Sequence, residues 1–286
     1  MKLRDCKRVI GQMIPSFIKT KIRFWKEMKE LNTIQRLECR TDSLRCKSNL
    51  TLSDIFDSRK MESMWSDLKK KIDRFTIPDG TGGVNPGDRR AIYYLISKLK
   101  PSSVLEIGTH IGASTLHIAS ALYMSQIRNG NNATLTTVDI ADVNSPVEKP
   151  WEKYGTSKSP LEMIQALNYG SFVEFIADTS LHYAANCERR FDFIFLDGDH
   201  SARTVYQEIP VALNLLNQNG VILLHDYFPN MKPLWSNGSV IPGPFLATER
   251  LRKEGANLTV LPLDKLPWLT KLQSNITSLA LLLRNE

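Results

Sequence analysis

At 286 residues and 42% hydrophobic content, the chain has room for one large globular domain and an appendage. No apolar run approaches the roughly 20 residues that span a bilayer. The net charge of +7 is confined to the leading segment, where residues 1–40 hold 11 Lys/Arg against 4 Asp/Glu and the remainder is neutral. A neutral main domain offers phosphates little attraction, which argues against a nucleic-acid partner. Four cysteines, Cys6, Cys39, Cys46 and Cys187, show no C-x-x-C spacing and no partnered histidines. That pattern reads as free thiols in a cytoplasmic protein, with no zinc site. The basic N-terminus lacks the apolar core and small-residue cleavage site of a signal peptide.

Residues 1–75 read as a basic helical extension without a catalytic pattern. Phe17, Ile18, Ile22, Trp25, Met28 and Leu31 recur at spacings of three and four between Lys and Arg. This predicts an amphipathic helix that packs on its own domain, meets a second subunit or touches a membrane surface. Lys69, Lys70 and Lys71 read as a solvated face.

Residues 76–286 alternate strand and helix. A helix over 91–99 precedes a strand over 104–107 and a helix over 112–123. A strand over 134–138 ends at Asp139, and the irregular stretch 140–159 follows. After a short helix (161–167), a strand over 172–176 ends at Ala177-Asp178. The strongly apolar strand 191–196 runs into Asp197-Gly198-Asp199-His200. Helix 202–216, strand 221–224 with His225-Asp226-Tyr227, a Pro/Gly-rich loop (229–244), helix 245–254 and strands 258–262 and 278–283 complete the chain. The alternation predicts a mostly parallel sheet with helices on both faces. With no helix between the last two strands, the final one is free to run antiparallel.

Ligands of open α/β sheets bind beyond the carboxyl ends of the strands. Here successive strands end in Glu106, Asp139, Asp178, Asp197 and His225-Asp226, which points to one shared site along that edge. A single terminal Asp is ordinarily a helix cap, and Asp178 has that reading beside a helix starting at Ser180. The first strand turns on Gly108 and Gly112 into a helix, the arrangement of a nucleotide-cofactor cradle. Glu106 before the turn, with only two glycines kept, departs from the dinucleotide fingerprint G-x-G-x-x-G.

Glu106-x-Gly108-x-His110-x-Gly112-x-Ser114 resembles the E-x-G-x-x-x-G-x-S motif of catechol-type O-methyltransferases, members of class I of the S-adenosylmethionine-dependent methyltransferases. Phe191 to Asp197 and Gly220 to Asp226 resemble the fourth- and fifth-strand motifs of the same group. Asp197-Gly198-Asp199-His200 is similar to macrocin-type and sugar O-methyltransferases. The resemblance implies a Rossmann-like fold with a seven-stranded sheet. It implies that Glu106, Gly108, Gly112 and Ser114 hold the methionine end of S-adenosylmethionine, with His110 beside it. Asp139 would hold the ribose hydroxyls, and Asp178 the adenine end. Asp197 and Asp226 match positions that bind a divalent cation, usually magnesium.

The third ligand departs from the pattern. Tyr227 stands where catechol-type enzymes carry Asn, and His225 where macrocin-type enzymes carry an acidic residue. Imidazole suits manganese, iron or zinc better than magnesium. Three arrangements follow: Asp199 completes the site, His225 makes it a site for another metal, or no metal binds. His200 matches the place of a Lys base and is the expected general base, with Asp197 beside it. A cap of the following helix is its alternative reading, and His225 is the second choice of base.

The expected activity is methyl transfer to a hydroxyl of a small molecule, a sugar or glycosylated natural product first. Trp151, Tyr154, Tyr227, Phe228 and Trp235 in the two irregular stretches are candidate acceptor-pocket walls. A nicotinamide-dependent oxidoreductase, and a membrane-docked cofactor-binding protein without turnover, are the alternatives. A homo-oligomer is compatible with both.

Overall fold

A computed structural model describes residues 16–286 apart from Ser58, Gly82 and Asn131. Residues 1–15, with Cys6, and the Phe17 side chain lie outside the described residues. Short apolar runs form the strands β1 (Ser103–Ile107), β2 (Thr134–Asp139), β3 (Val173–Ala177), β4 (Phe191–Leu196), β5 (Leu216–Leu224), β6 (Leu258–Pro262) and β7 (Ala280–Arg284). They pair in the order β3-β2-β1-β4-β5-β7-β6. All pairs among the first five are parallel, and β7 runs antiparallel to both neighbours.

Register aligns the edge that matters. Ile107 pairs with Val138 on one side and Leu196 on the other, and Leu196 pairs with Leu224. The residues that follow, Gly108, Asp139, Asp197 and His225, therefore emerge at one level. Backbone bonds continue past the strand ends: Gly108 N donates to Val138 O (2.8 Å), Asp197 N to Ile107 O (2.9 Å) and His225 N to Leu196 O (3.1 Å). Chain order reverses between β1 and β4, which opens the crevice where ligands bind in such sheets.

Side chains alternate between two cores, as strand geometry requires. Val104, Phe193, Phe195, Val221 and Leu223 face one cluster, and Leu105, Ile107, Ile194, Leu196 and Ile222 face the other. The helices are α1 (Ser16–Leu31), α2 (Leu52–Phe56), α3 (Arg59–Ile72), α4 (Pro86–Leu99), α5 (Ala113–Asn129), α6 (Pro160–Ala166), α7 (Ser180–Asn186), α8 (Ala202–Asn214) and α9 (Gly243–Lys253). α3, α4 and α5 cover the first face; α8, α9 and α1 cover the second.

Several boundaries differ from the sequence expectation: α4 begins at Pro86 rather than 91, and α5 runs on to Asn129 rather than 123. The helix expected over 202–216 stops at Asn214, and β5 begins at Leu216 rather than 221. An irregularity in the β4–β5 pairing between Phe191 and Phe193 accommodates the polar stretch, and Asn217 Nδ2 donates to Asp192 Oδ1 (2.8 Å). Polar residues in a bulged edge of a strand look like a turn in sequence.

The extension shares the cores of the sheet. Ile55, Phe56, Trp65, Leu68 and Ile72 enter the first cluster, and Leu31 and Leu44 the second. Around Leu44, Arg45 N donates to Gly220 O (2.9 Å) and Arg284 N to Arg45 O (3.1 Å), bridging β5 and β7. In α1 the expected single apolar stripe divides. Phe24, Met28 and Leu31 pack inward, whereas Ile18, Ile22 and Trp25 are exposed. Buried Glu27 reaches α8, its Oε2 accepting from Ala202 N (2.5 Å). Lys69, Lys70 and Lys71 are exposed, as expected. Cys39, Cys46 and Cys187 are free thiols. No helix among the described residues is long and apolar enough to cross a membrane.

Trp65 stacks on His117 (5.5 Å between ring centroids) and meets Tyr93 (5.6 Å). Trp65→Ala is expected to cost about 3–5 kcal/mol. Urea unfolding should stay a single transition with a lower midpoint, and a separate early transition of the extension would contradict the shared core.

Candidate active site

The turn after β1 is set by steric necessity. Gly108 has φ +100°, and a Cβ there would collide with the Asp197 carbonyl. The two loops that flank the topological switch thus touch backbone to backbone. His110 follows with φ +48°, its N donating to Asp139 Oδ2 (2.8 Å) while Ala141 N donates to Oδ1 (3.0 Å). A carboxylate offers about four lone-pair sites, so Asp139 retains acceptors for a diol. The His110 ring lies against Tyr154 (4.3 Å), and burial lowers its pKa.

A cleft of about 580 Å³ opens along this edge, lined by Gly108, His110, Asp139, Ile140, Asp178, Asp197, His200 and Glu208 among others. Its size falls within the range of small-molecule sites. Glu106, Gly112 and Ser114 are not part of this wall and lie buried. Thr115 and Thr137 hydroxyls donate to Glu106 Oε2 (2.5 and 2.7 Å), and its Oε1 has no partner. Burial lifts the Glu106 carboxyl to about 7 against the pull of the Ser114, Thr115 and Thr137 hydroxyls. Glu106 thereby holds the turn from below.

Asp178 is not the cap of α7; Thr179 is, accepting from His182 N. Asp178 Oδ2 instead pairs with His182 Nδ1 at 2.6 Å, and that bond holds its carboxyl below the usual range. Asp178 N donates to Asp139 O (2.8 Å), which anchors the third strand's end to the second.

At the other end of the cleft, His200 Nε2 lies 3.7 Å from Asp197 Oδ1 and 3.5 Å from Asp226 Oδ2. His200 is not a helix cap: Ser201 caps α8, accepting from Thr204 N. α9 begins directly against this segment, since a Cβ on Gly243 would overlap the His200 carbonyl. His225 sits deeper, its Nδ1 2.7 Å from Asp197 Oδ1 and 3.8 Å from Asp226 Oδ1, its Nε2 3.4 Å from Asp88 Oδ2. Burial pushes this imidazole's pKa down, but the charges of Asp197 and Asp226, with hydrogen bonding to Asp197 and Asp88, raise it well above the ordinary value. The surrounding carboxylates thus favour its protonated form.

Donor atoms of Asp197, His200 and His225 lie within 4.8 Å of one another, a grouping able to hold a metal ion. Asp199 is turned away from them. It accepts from Ser201 N (2.9 Å), Ser201 Oγ (2.9 Å) and Thr204 Oγ1 (2.7 Å), bonds that outweigh burial and keep its carboxyl low.

Two contributors escaped the sequence reading. Asp88 is fully buried beneath His225. Its sequence context, Asn85-Pro86-Gly87-Asp88, signals only a helix start, and Asn85 indeed caps α4. Glu208 lies inside α8, accepts from Ser180 Oγ (2.5 Å) and lines the cleft. Burial raises its carboxyl to about 7. Of the loop aromatics, Trp151, Tyr227, Phe228 and Trp235 are buried in local packing, and Tyr154 alone stands half exposed beside the cleft.

Residues 105–227 match a family model described as a methyltransferase domain. The chain has the Rossmann-like fold of class I methyltransferases. Its reversed β7, placed between β5 and β6, also departs from the 3-2-1-4-5-6 order of dinucleotide-binding sheets. No curated protein matches the sequence. Among solved structures, the chain is similar to the O-methyltransferase TomG of Streptomyces achromogenes, involved in tomaymycin synthesis and solved with S-adenosylmethionine. Identity is 16%, TM-score 0.52, with 84% of this chain and 97% of that one covered. It is also similar to the methyltransferase PaMTH1 of Podospora anserina at 17% identity and TM-score 0.50, covering 84% and 92%.

Glu208 binds its proton more tightly folded, at about 7, than an ordinary glutamate near 4.5. Its contribution to stability is therefore full below about pH 4.5 and is lost as pH rises toward 7. Glu208→Gln should leave stability at pH 5 little changed and raise it at pH 8 by a few kcal/mol, at about 1.4 kcal/mol per pH unit. Chemical denaturation at the two pH values checks this.

Proposed function

We propose that the chain is an S-adenosylmethionine-dependent O-methyltransferase acting on a hydroxyl of a small molecule, a sugar or glycosylated natural product first. The observation that carries this reading is His200 in the cleft, its Nε2 between Asp197 and Asp226. S-Adenosylmethionine, when bound, supplies an electrophilic methyl group on a sulfonium. The spare acceptors of Asp139, which lines the cleft, are consistent with such a ligand. Gly108 and His110 form the turn over the crevice; Asp139 would hold the diol, and exposed Ile140 with Asp178 would border the adenine end.

Methyl transfer to a hydroxyl requires removal of its proton as the oxygen attacks. His200 takes that proton at Nε2, and the carboxylates of Asp197 and Asp226 stabilise the imidazolium that forms. His225 lies behind them, its Nδ1 2.7 Å from Asp197 Oδ1 and 3.8 Å from Asp226 Oδ1. The similarity of Asp197 to His200 to sugar-methylating enzymes supports the acceptor class. Free thiols accord with a reducing, cytoplasmic setting.

A second reading rests on the grouping of donor atoms around Asp197. Asp197, His200 and His225 would hold a divalent ion, with both His225 ring nitrogens lacking a well-aligned hydrogen bond. One carboxylate and two imidazoles suit zinc, iron or manganese rather than magnesium. A bound ion would polarise the acceptor oxygen, and His200 would then be ligand instead of base.

His200→Ala is expected to lower turnover about 10²- to 10⁴-fold, with S-adenosylmethionine affinity by calorimetry retained. Undiminished turnover would sink the assignment. Assays after exhaustive chelation decide between the readings: unchanged activity supports the base, and loss restored by manganese or zinc supports the ligand.

A further inference from the structure

The outward face of α1 is apolar and basic together. Ile18, Ile22 and Trp25 are 37%, 59% and 70% exposed, at spacings of four and three that place them in one row. Lys21, Lys26 and Lys29 are exposed around that row. Glu27 faces inward to α8, and Glu30 lies beside Lys26 (3.8 Å) at the margin. The helix is anchored along its opposite face by Phe24, Met28 and Leu31, so its outer row does not depend on any occupant for its position.

We propose that this face docks the protein on an anionic lipid bilayer, lying parallel to the surface. Charge complementarity carries the choice. The whole surplus of +7 belongs to residues 1–40, whereas the rest of the chain is neutral. Tryptophan and isoleucine reach the acyl boundary while lysines around them meet anionic headgroups. A second copy of the chain is the poorer occupant, because a symmetric pairing of this face sets lysine against lysine. No helix among the described residues is long and apolar enough to cross a membrane. The inference is independent of the reaction assigned above.

The test uses the full chain with vesicles of phosphatidylcholine alone or mixed with phosphatidylserine. Wild-type protein should co-sediment with the mixed vesicles and be released by high salt. Trp25→Glu and Ile22→Glu should each weaken that binding on the order of tenfold, with the urea midpoint and S-adenosylmethionine affinity unchanged. Equal binding to neutral vesicles, absence of binding to anionic ones, or full binding by both variants would overturn the proposal. So would a dimer in light scattering that either variant dissolves, which would assign the face to a second copy.

Discussion

The approach of Gly108 to the Asp197 carbonyl is the constraint on which the site is built. Two parallel strands whose connections leave in opposite directions would ordinarily diverge at their ends. Here the missing side chain and the backbone bond from Asp197 N to Ile107 O keep them together for one more residue. The cofactor end of the crevice and its acid–histidine end are then opposite sides of a single contact. A displacement of β1's turn moves both, so binding and chemistry share one geometric reference.

The acid–histidine end is held by charge as much as by packing. Asp88, Asp197 and Asp226 converge on buried His225, and three carboxylates without a cation would repel one another in a place that solvates them poorly. An imidazolium there both compensates them and fixes their orientation toward His200. The nearer histidine, His200, lines the cleft. Two histidines of similar sequence setting thus come to lie at different depths.

Much of this was legible in the sequence because strand ends and glycine turns are local signals. The apolar runs before Gly108, Asp139, Asp197 and His225 were enough to anticipate a mostly parallel sheet with one shared edge, while the seven strands came from the family resemblance and the freedom of the last strand from the missing helix before it. Asp88 was not legible: its motif describes a helix start, and its burial under His225 arises from a contact 137 residues away in sequence. Glu208 escaped for a similar reason, since an acidic residue in an amphipathic helix ordinarily faces water. The loop aromatics misled because size and position suggest a wall, whereas their burial depends on how the loops fold back. The α1 stripe divided because helical spacing alone cannot say which of two adjoining sectors the domain covers.

Glu27 carries a consequence of its own. Its carboxylate caps the first turn of α8 directly after the segment that bears His200, and it does so from the helix whose outer face is open. The outer surface and the reactive edge are therefore separated by one buried hydrogen bond and no flexible linker. Free-energy coupling between two sites is reciprocal. A shift of α1 would reach the segment bearing His200 through this bond, and reordering of that segment would reach α1 the same way.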